Sequence, residues 1–181
     1  MDRLSRLFQD LRDLFDLRWL EVKKEWQRGL PFGDYIVDRW DKASRLGFGD
    51  GCSIYDSSVV LGNVRVGCHT WIGPFTVLDG TGGLEIGDYC SISAGVQIYT
   101  HDTVSWAVSG GERQFEQAPV KIGSCTYIGP GVIIAKGVTI GSGCVIGANS
   151  FVNRSIPDHF KAWGTPARLI GPVEQSLRRA P

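Results

Sequence analysis

The stretch IGSCTYIGPGVIIAKGVTIGSGCVIGANSFV, residues 122–152, repeats itself with a period of six. An aliphatic residue, called here an anchor, stands at every sixth position, and Gly or Ala follows it in all but the last repeat. A helix repeats apolar residues about every 3.6 positions, and a half-buried strand repeats them at every second position. A strict period of six matches neither. It is typical of a parallel β-helix, in which each hexapeptide forms one side of a stacked coil.

The same spacing extends towards the N-terminus. It contains one step of eight residues after Leu78 and one gap of 24 residues before Ile122. The residue two positions before the anchor is Cys, Ser, Thr or Val in thirteen of fourteen repeats, with Leu84 as the exception. We expect this small side chain to lie inside a tight corner, and the following Gly to let the backbone turn without strain from a Cβ atom. The anchors are Ile54, Val60, Val66, Ile72, Leu78, Ile86, Ile92, Ile98, Ile122, Ile128, Ile134, Ile140, Ile146 and Val152.

Composition excludes several classes of protein. The 181 residues include 19 basic and 19 acidic side chains, and this balance argues against a nucleic-acid partner, which requires a basic excess. No apolar run approaches the ~20 residues needed to cross a bilayer, and the charged N-terminus lacks the apolar core of a signal peptide. We therefore expect a cytoplasmic protein. The five cysteines form no C-x-x-C pair, which favours reduced packing thiols over a zinc site.

The chain divides into three parts. Residues 1–50 are predicted to form an N-terminal amphipathic helix, over 3–28, and a segment that caps the first coil. Residues 51–157 form the β-helix, interrupted by an extended loop at 99–119, and residues 158–181 form a C-terminal cap with a short helical end. A long loop that preserves the register on both sides is expected to be functional. The helix either packs on the body or a neighbouring subunit, or makes weak contact with a membrane surface through Trp19 and Trp26.

Three features beyond the repeat resemble the hexapeptide-repeat acyltransferases, and within them most closely the sugar and polysaccharide O-acetyltransferases. The resemblance covers roughly residues 52–171. It implies a left-handed all-β coil, a homotrimer with active sites at subunit boundaries, and acetyl-CoA as the acyl donor, with no metal required. It also implies transfer to a hydroxyl of a sugar or sugar derivative, such as a precursor in polysaccharide biosynthesis. The features are Thr100-His101-Asp102 at the loop start, Ala118 to Gly123 followed by Tyr127-Ile128-Gly129, and Ser155-Ile156-Pro157 followed by Gly164 to Arg168.

The resemblance also assigns residues of the site. The family's catalytic histidine falls on His101, and the aromatic residue near the thioester is Tyr127. Gly171 replaces a second basic residue that family members often carry near the end of coenzyme A. The remaining cofactor-binding candidates are Ala135 and Ala148 in the pantetheine groove and Arg154 and Arg168 near the phosphates, to which Lys161 is added because it lies close to both arginines in the sequence.

The chemistry supports a histidine base. An alcohol is almost wholly protonated at neutral pH, whereas an imidazole titrating near pH ~6.5 can take its proton and return it to the thiolate leaving group. Asp79 follows an anchor where Gly is usual, and it is expected to bind the acceptor, to orient His101 or to make a turn. Trp106 and Arg113 either stack on and grip a sugar or pack the loop.

Three alternatives stay open. An amino-sugar N-acetyltransferase would use the same base and cofactor. A γ-type carbonic anhydrase would hold zinc with three histidines, but His69, His101 and His159 lack the expected spacing. A non-catalytic scaffold would keep the coil alone and would not bind coenzyme A.

Overall fold

In the computed structural model, which describes residues 2–174, three helices precede the repeats. They are α1 (Arg3–Trp26), α2 (Phe32–Ile36) and α3 (Arg39–Arg45). The Asp2 carboxylate caps α1 by accepting the Ser5 N–H at 2.8 Å. The helix ends two residues before its predicted end because Gln27 adopts a left-handed conformation.

The repeats form short strands separated by turns, with one further helix, α4 (Val104–Val108), in the long loop. The strands are β1 (Ser53–Ile54), β2 (Val59–Val66), β3 (Trp71–Ile72), β4 (Val77–Ile86), β5 (Ser91–Ile92), β6 (Gln97–Ile98), β7 (His101–Asp102), β8 (Glu116–Gln117), β9 (Val120–Ile122), β10 (Tyr127–Ile128), β11 (Ile133–Ile134), β12 (Thr139–Ile140), β13 (Val145–Ile146), β14 (Phe151–Val152), β15 (Phe160–Gly164) and β16 (Ala167–Pro172).

Parallel pairing stacks the strands of the coil into three faces, and the anchors stack in register within each face. The first face runs through β1, β3, β5, β10, β13 and β15. The second runs through the starts of β2 and β4 and then β6, β11 and β14. The third runs through the ends of β2 and β4 and then β9 and β12. The result is a coil of about six turns, and the predicted left-handed parallel β-helix is confirmed.

The core is the stacked anchors and the small residues two positions before them. Every anchor except the half-buried Val60 is at most 7% exposed. Among the small residues only Val64 is not fully buried. The buried Cys52, Cys90 and Cys144 occupy this position as free thiols, and burial raises the pKa of each of them. These three cysteines are therefore packing residues, whereas Cys68 is half-buried and Cys125 is exposed.

The glycines after the anchors have a different role from the one expected. Neither Gly123 nor Gly129 has a positive φ. A Cβ atom on Gly123 would lie 2.5 Å from the backbone nitrogen of Ser142, and one on Gly129 would lie 2.7 Å from that of Ala148. These residues are therefore small because the next turn of the coil packs directly against them, and not because the backbone there needs a left-handed conformation.

The first helix is only partly covered by the body. Phe15 stacks on Phe32 of α2 and meets Tyr35 edge-on, with ring centroids 5.7 and 5.2 Å apart. Towards the N-terminus, Leu4 and Phe8 remain 77% and 67% exposed on the same side of the helix. This apolar surface is available to either partner that the sequence suggested, a neighbouring subunit or a membrane surface. Within residues 2–174, no helix is both long and apolar enough to pass through a bilayer.

The long loop has structure of its own, contrary to expectation. β7 and β8 form an antiparallel pair, with His101 opposite Gln117, and α4 lies between them. At the C-terminus, β15 adds to the first face and pairs antiparallel with β16, which covers the last turn. The predicted helical end falls mostly on residues 175–181, outside the described residues.

Candidate active site

The structure brings Asp79 and His101 together at one edge of the coil. This edge, called the loop corner, joins the second face to the third and contains residues 79–83, 99–119, 135–137 and 153–155. Leu78 pairs with Ile98 on the second face, so the residues after both anchors leave at the same corner on successive turns. In β4 three residues, 81–83, lie opposite the single Asn63 of β2, which accounts for the two-residue excess in the sequence.

Asp79 is fully buried and saturated with hydrogen bonds. Its Oδ2 accepts from the Thr100 N–H at 2.8 Å, the Thr100 hydroxyl at 3.1 Å and His101 Nδ1 at 2.7 Å. Its Oδ1 accepts from the Thr81 N–H at 3.0 Å and the Thr81 hydroxyl at 2.5 Å. Burial raises the pKa of Asp79, but the hydrogen bonds from Thr81, Thr100 and His101 outweigh it and hold the pKa well below its usual range. The carboxylate is therefore ionised at neutral pH.

This ionised partner fixes the tautomer of His101. A carboxylate can only accept, so Nδ1 carries the proton and donates it to Asp79, which leaves the Nε2 lone pair available in the neutral ring. The His101 side chain is 30% exposed, and the Phe115 ring meets it edge-on at 5.9 Å between centroids. An oriented imidazole with a free, accessible nitrogen is suited to accept a proton.

A lysine from the next turn holds both strands of the hairpin. Lys136 Nζ lies 2.7 Å from Asp102 Oδ2 and also binds Glu116 Oε2, and these two acids sit opposite each other in β7 and β8. The Ser105 hydroxyl donates to the other oxygen of Glu116 at 2.7 Å. Hydrogen bonds from the Lys136 ammonium lower the pKa of both acids, and the same contacts raise the pKa of Lys136. The hairpin that carries His101 is thereby tied to the coil.

The cofactor-binding candidates fall into two groups. Ala135 and Arg154 lie at the loop corner with His101. The others lie on or next to the first face, where the outward side chains of Tyr127, Val145 and Lys161 form one column. In a three-faced coil the loop corner is opposite the first face, so the two groups lie on opposite sides of the coil. The second group consists of Tyr127, Ala148, Lys161 and Arg168, the last two on β15 and β16.

The remaining candidates of the loop make local contacts. Trp106 is 54% exposed on α4, and the Arg113 backbone N–H donates to the Ser109 hydroxyl at 2.9 Å. Sequence reasoning missed Lys136, although its position two residues after the anchor Ile134 placed it at the same corner as the loop. Among residues 2–174, no three His, Cys, Asp or Glu side chains are grouped closely enough to hold a metal ion.

The repeat matches a known family model. Residues 119–154 match the model described as "Bacterial transferase hexapeptide (six repeats)". This segment of the chain therefore resembles the hexapeptide repeats of bacterial transferases. Among curated proteins, the hexapeptide-repeat chain is 38% identical over 115 residues to nodulation protein L of Rhizobium meliloti (strain 1021). That match spans 60% of this chain and only 60% of the relative's own length.

Solved structures share the fold. The N-acyltransferase AntD from Bacillus cereus, crystallised as a mutant with dTDP and coenzyme A, superposes with a TM-score of 0.65 and 26% identity, covering 72% of this chain and 74% of AntD. The hexapeptide-repeat acetyltransferase VCA0836 from Vibrio cholerae O1 biovar eltor, in complex with acetyl coenzyme A, gives a TM-score of 0.59 and 25% identity. That match covers 97% of this chain and 93% of VCA0836.

Proposed function

We propose that this protein is an acetyltransferase that moves an acetyl group from acetyl-CoA to a hydroxyl of a sugar or sugar derivative. The observation that carries the proposal is the hydrogen bond between the buried Asp79 carboxylate and His101 Nδ1, 2.7 Å long, at the mouth of an inserted hairpin. The likeness to acyltransferase structures that bind coenzyme A supports the choice of donor.

In the proposed reaction, His101 Nε2 takes the proton from the acceptor hydroxyl as its oxygen attacks the thioester carbonyl carbon. The tetrahedral intermediate collapses, the carbon–sulfur bond breaks, and the imidazolium returns the proton to the departing thiolate. Asp79 stays ionised and stabilises the imidazolium. Because both of its oxygens already accept hydrogen bonds within the chain, its proposed role is to orient His101 and not to bind the acceptor. The products are coenzyme A and the acetyl ester.

The site is proposed to form between two chains of a homotrimer. His101 lies at the loop corner of one chain, and Tyr127, Ala148, Lys161 and Arg168 lie on the opposite side of the coil, so both groups serve one cofactor only if the corner of one chain faces the first face of the next. Closed symmetry repeats this contact at each boundary. Trp106 and Arg113 are exposed on the hairpin and are proposed to contact the acceptor.

The nucleotide end of acetyl-CoA is proposed to lie near Arg168, since a guanidinium binds phosphate bidentately and stays charged. We expect Arg168→Ala to raise the KM for acetyl-CoA about ten- to hundredfold, because a charge-assisted hydrogen bond contributes about 1.5–3 kcal/mol. The acceptor KM should change little. Steady-state kinetics with each substrate varied in turn provide the test, and an unchanged acetyl-CoA KM would place the cofactor elsewhere.

Lys136 is proposed as a positioning residue. Lys136→Met removes the charge that holds Asp102 and Glu116, and we expect kcat to fall about ten- to hundredfold through misplacement of His101, with little change in the acetyl-CoA KM. Lys136→Arg can keep both ion pairs and should retain most of the activity. Equal kcat in the Met variant and the parent, measured after both are shown to be folded, would remove this role.

Coenzyme A release with a panel of sugars, amino sugars and their phosphorylated derivatives tests the proposed function. Mass shows that an acetyl group has been added, and the lability of the product to mild base separates an O-acetyl ester from an N-acetyl amide. The amide is the second candidate, since AntD is an N-acyltransferase. Acetyl-CoA that is neither bound nor consumed with any acceptor would contradict acyl transfer and favour the non-catalytic scaffold.

A further inference from the structure

Two arginines of the N-terminal segment converge on one tyrosine hydroxyl. Nη1 of Arg28 lies 3.3 Å from the Tyr55 hydroxyl oxygen, and Nη1 of Arg39 lies 3.2 Å from the same atom. The Arg39 guanidinium also stacks 4.0 Å above the Trp40 ring. Two cationic groups that share one neutral acceptor repel each other, and this arrangement is stabilised when an anion binds between them.

Two carboxylates of the described chain lie near this pair but form no ion pair with it. Within residues 2–174, neither guanidinium forms an ion pair shorter than 4.0 Å. Asp34 and Asp38 line a pocket together with both arginines, and their Oδ1 atoms accept backbone N–H groups, from Asp56 and from Trp40 and Asp41. Within residues 2–174, only Nη1 of each guanidinium forms a hydrogen bond, so the other N–H groups are left for a ligand.

The arginines open into a cleft of about 580 Å³ on the first face. Apart from two isoleucines, the rest of its lining is aromatic or small, and it includes the 65% exposed Trp71 indole together with Ser91, Ser93 and Ala94. An exposed indole beside two guanidinium groups suits a ligand that combines a ring with a neighbouring phosphate. A cleft this size accommodates a small molecule.

The cleft continues the column of the proposed cofactor site. Trp71 pairs with Ser91, and Ser91 pairs with Tyr127, so Trp71 lies two rungs from Tyr127, or about 10 Å at ~4.8 Å per rung. Lys161 lies two rungs from Tyr127 in the opposite direction. In the proposed arrangement the nucleotide of acetyl-CoA lies towards Lys161 and its thioester lies at Tyr127. The acceptor then approaches the thioester from the other end of the column, where Trp71 lies. One sugar ring spans the interval between the thioester and the arginines.

We infer that the acceptor is a sugar carried on a diphosphate, with the diphosphate held between Arg28 and Arg39 and the attached ring against Trp71. This inference rests on the proposed function and specifies its acceptor. The shared chemistry is a glycosyl diphosphate ester, whose carrier is either a nucleoside or a polyprenyl chain. Two adjacent phosphoryl groups match two guanidinium groups, and the Tyr55 hydroxyl can donate to a bridging or terminal oxygen.

Calorimetric titration of the whole protein with pyrophosphate, uridine diphosphate and geranyl diphosphate tests this site. We expect at least one diphosphate ester to bind, and Arg28→Gln and Arg39→Gln each to weaken binding about tenfold or more. Arg12→Gln is the matched control, because Arg12 lies over Phe8 on the exposed half of α1, and it should bind like the parent. Preference for the uridine or the geranyl ester identifies a nucleotide or a lipid carrier, and either result supports the site.

Two outcomes would overturn it: no diphosphate binds the parent, or folded Arg28→Gln and Arg39→Gln variants bind as tightly as the parent. Acetyl-CoA binding and coenzyme A release with uncharged sugars are measured on the same variants. Normal turnover of uncharged sugars with no diphosphate binding would reject the cleft and retain acyl transfer. Arginine-dependent diphosphate binding without coenzyme A release from any acceptor would retain the cleft and reject acyl transfer.

Discussion

His101→Asn is expected to lower kcat by roughly 10²–10⁴, the usual contribution of a general base, while the fold and acetyl-CoA affinity are retained. The asparagine keeps a side chain that can hydrogen-bond Asp79 but has no basic nitrogen to take the acceptor's proton. Coenzyme A release under saturating substrates measures the change, and calorimetry measures acetyl-CoA binding.

The matched control is His69→Asn. His69 lies at the corner between the third and first faces, where it stacks on Tyr89 with 4.8 Å between ring centroids, and its φ of 55° is a conformation that Asn tolerates. This variant should keep the kcat of the parent. Near-normal turnover in His101→Asn would assign the proton transfer to another group.

Gly123→Val is expected to have the largest effect on stability. The new Cβ would lie 2.5 Å from the backbone nitrogen of Ser142 and 2.7 Å from the carbonyl carbon of Gly141, so two turns of the coil must separate. Overpacking of this kind costs about 3 kcal/mol in free energy of unfolding, which corresponds to about 6–12 °C in Tm for a chain of this size.

Gly171→Val provides the comparison, because no heavy atom lies within 4 Å of a Cβ at Gly171 and its φ is not in the left-handed region. Thermal unfolding of both variants should show a large shift for Gly123→Val and a small one for Gly171→Val. Equal shifts would mean that close packing between turns is not the reason for glycine at this position.

The period of six was sufficient to predict the coil, because the aliphatic anchors are the residues that are buried and they stack in one column on each face. The same register also predicted which residues share a corner, since Asp79 follows Leu78 and His101 follows Ile98 in the next turn. The hydrogen bond itself was not predictable, because it depends on the conformation of the inserted segment, to which the repeat does not apply.

The hairpin shows why the structure of the loop was harder to predict from the sequence than that of the coil. β7 and β8 are two residues long each, too short to show an alternation of apolar and polar residues, and their pairing depends on Lys136, which lies outside the loop. The Arg28 and Arg39 pair was likewise not predictable, since Arg28 ends the predicted N-terminal helix, Arg39 lies in the cap segment, and the two meet only at Tyr55.

We propose that acyl transfer takes place where the loop corner of one chain meets the first face of the next, and mixed oligomers test this most directly. His101→Ala removes the base from the corner, and Ala148→Trp fills the proposed cofactor groove on the other side of the coil. Each variant alone should be nearly inactive. Refolded or co-expressed together in equal amounts, they should regain about a quarter of the parent's activity, because one boundary in four then combines an intact corner with an intact face. Mixed oligomers that form but show no recovery would place the whole site within a single chain and contradict the account.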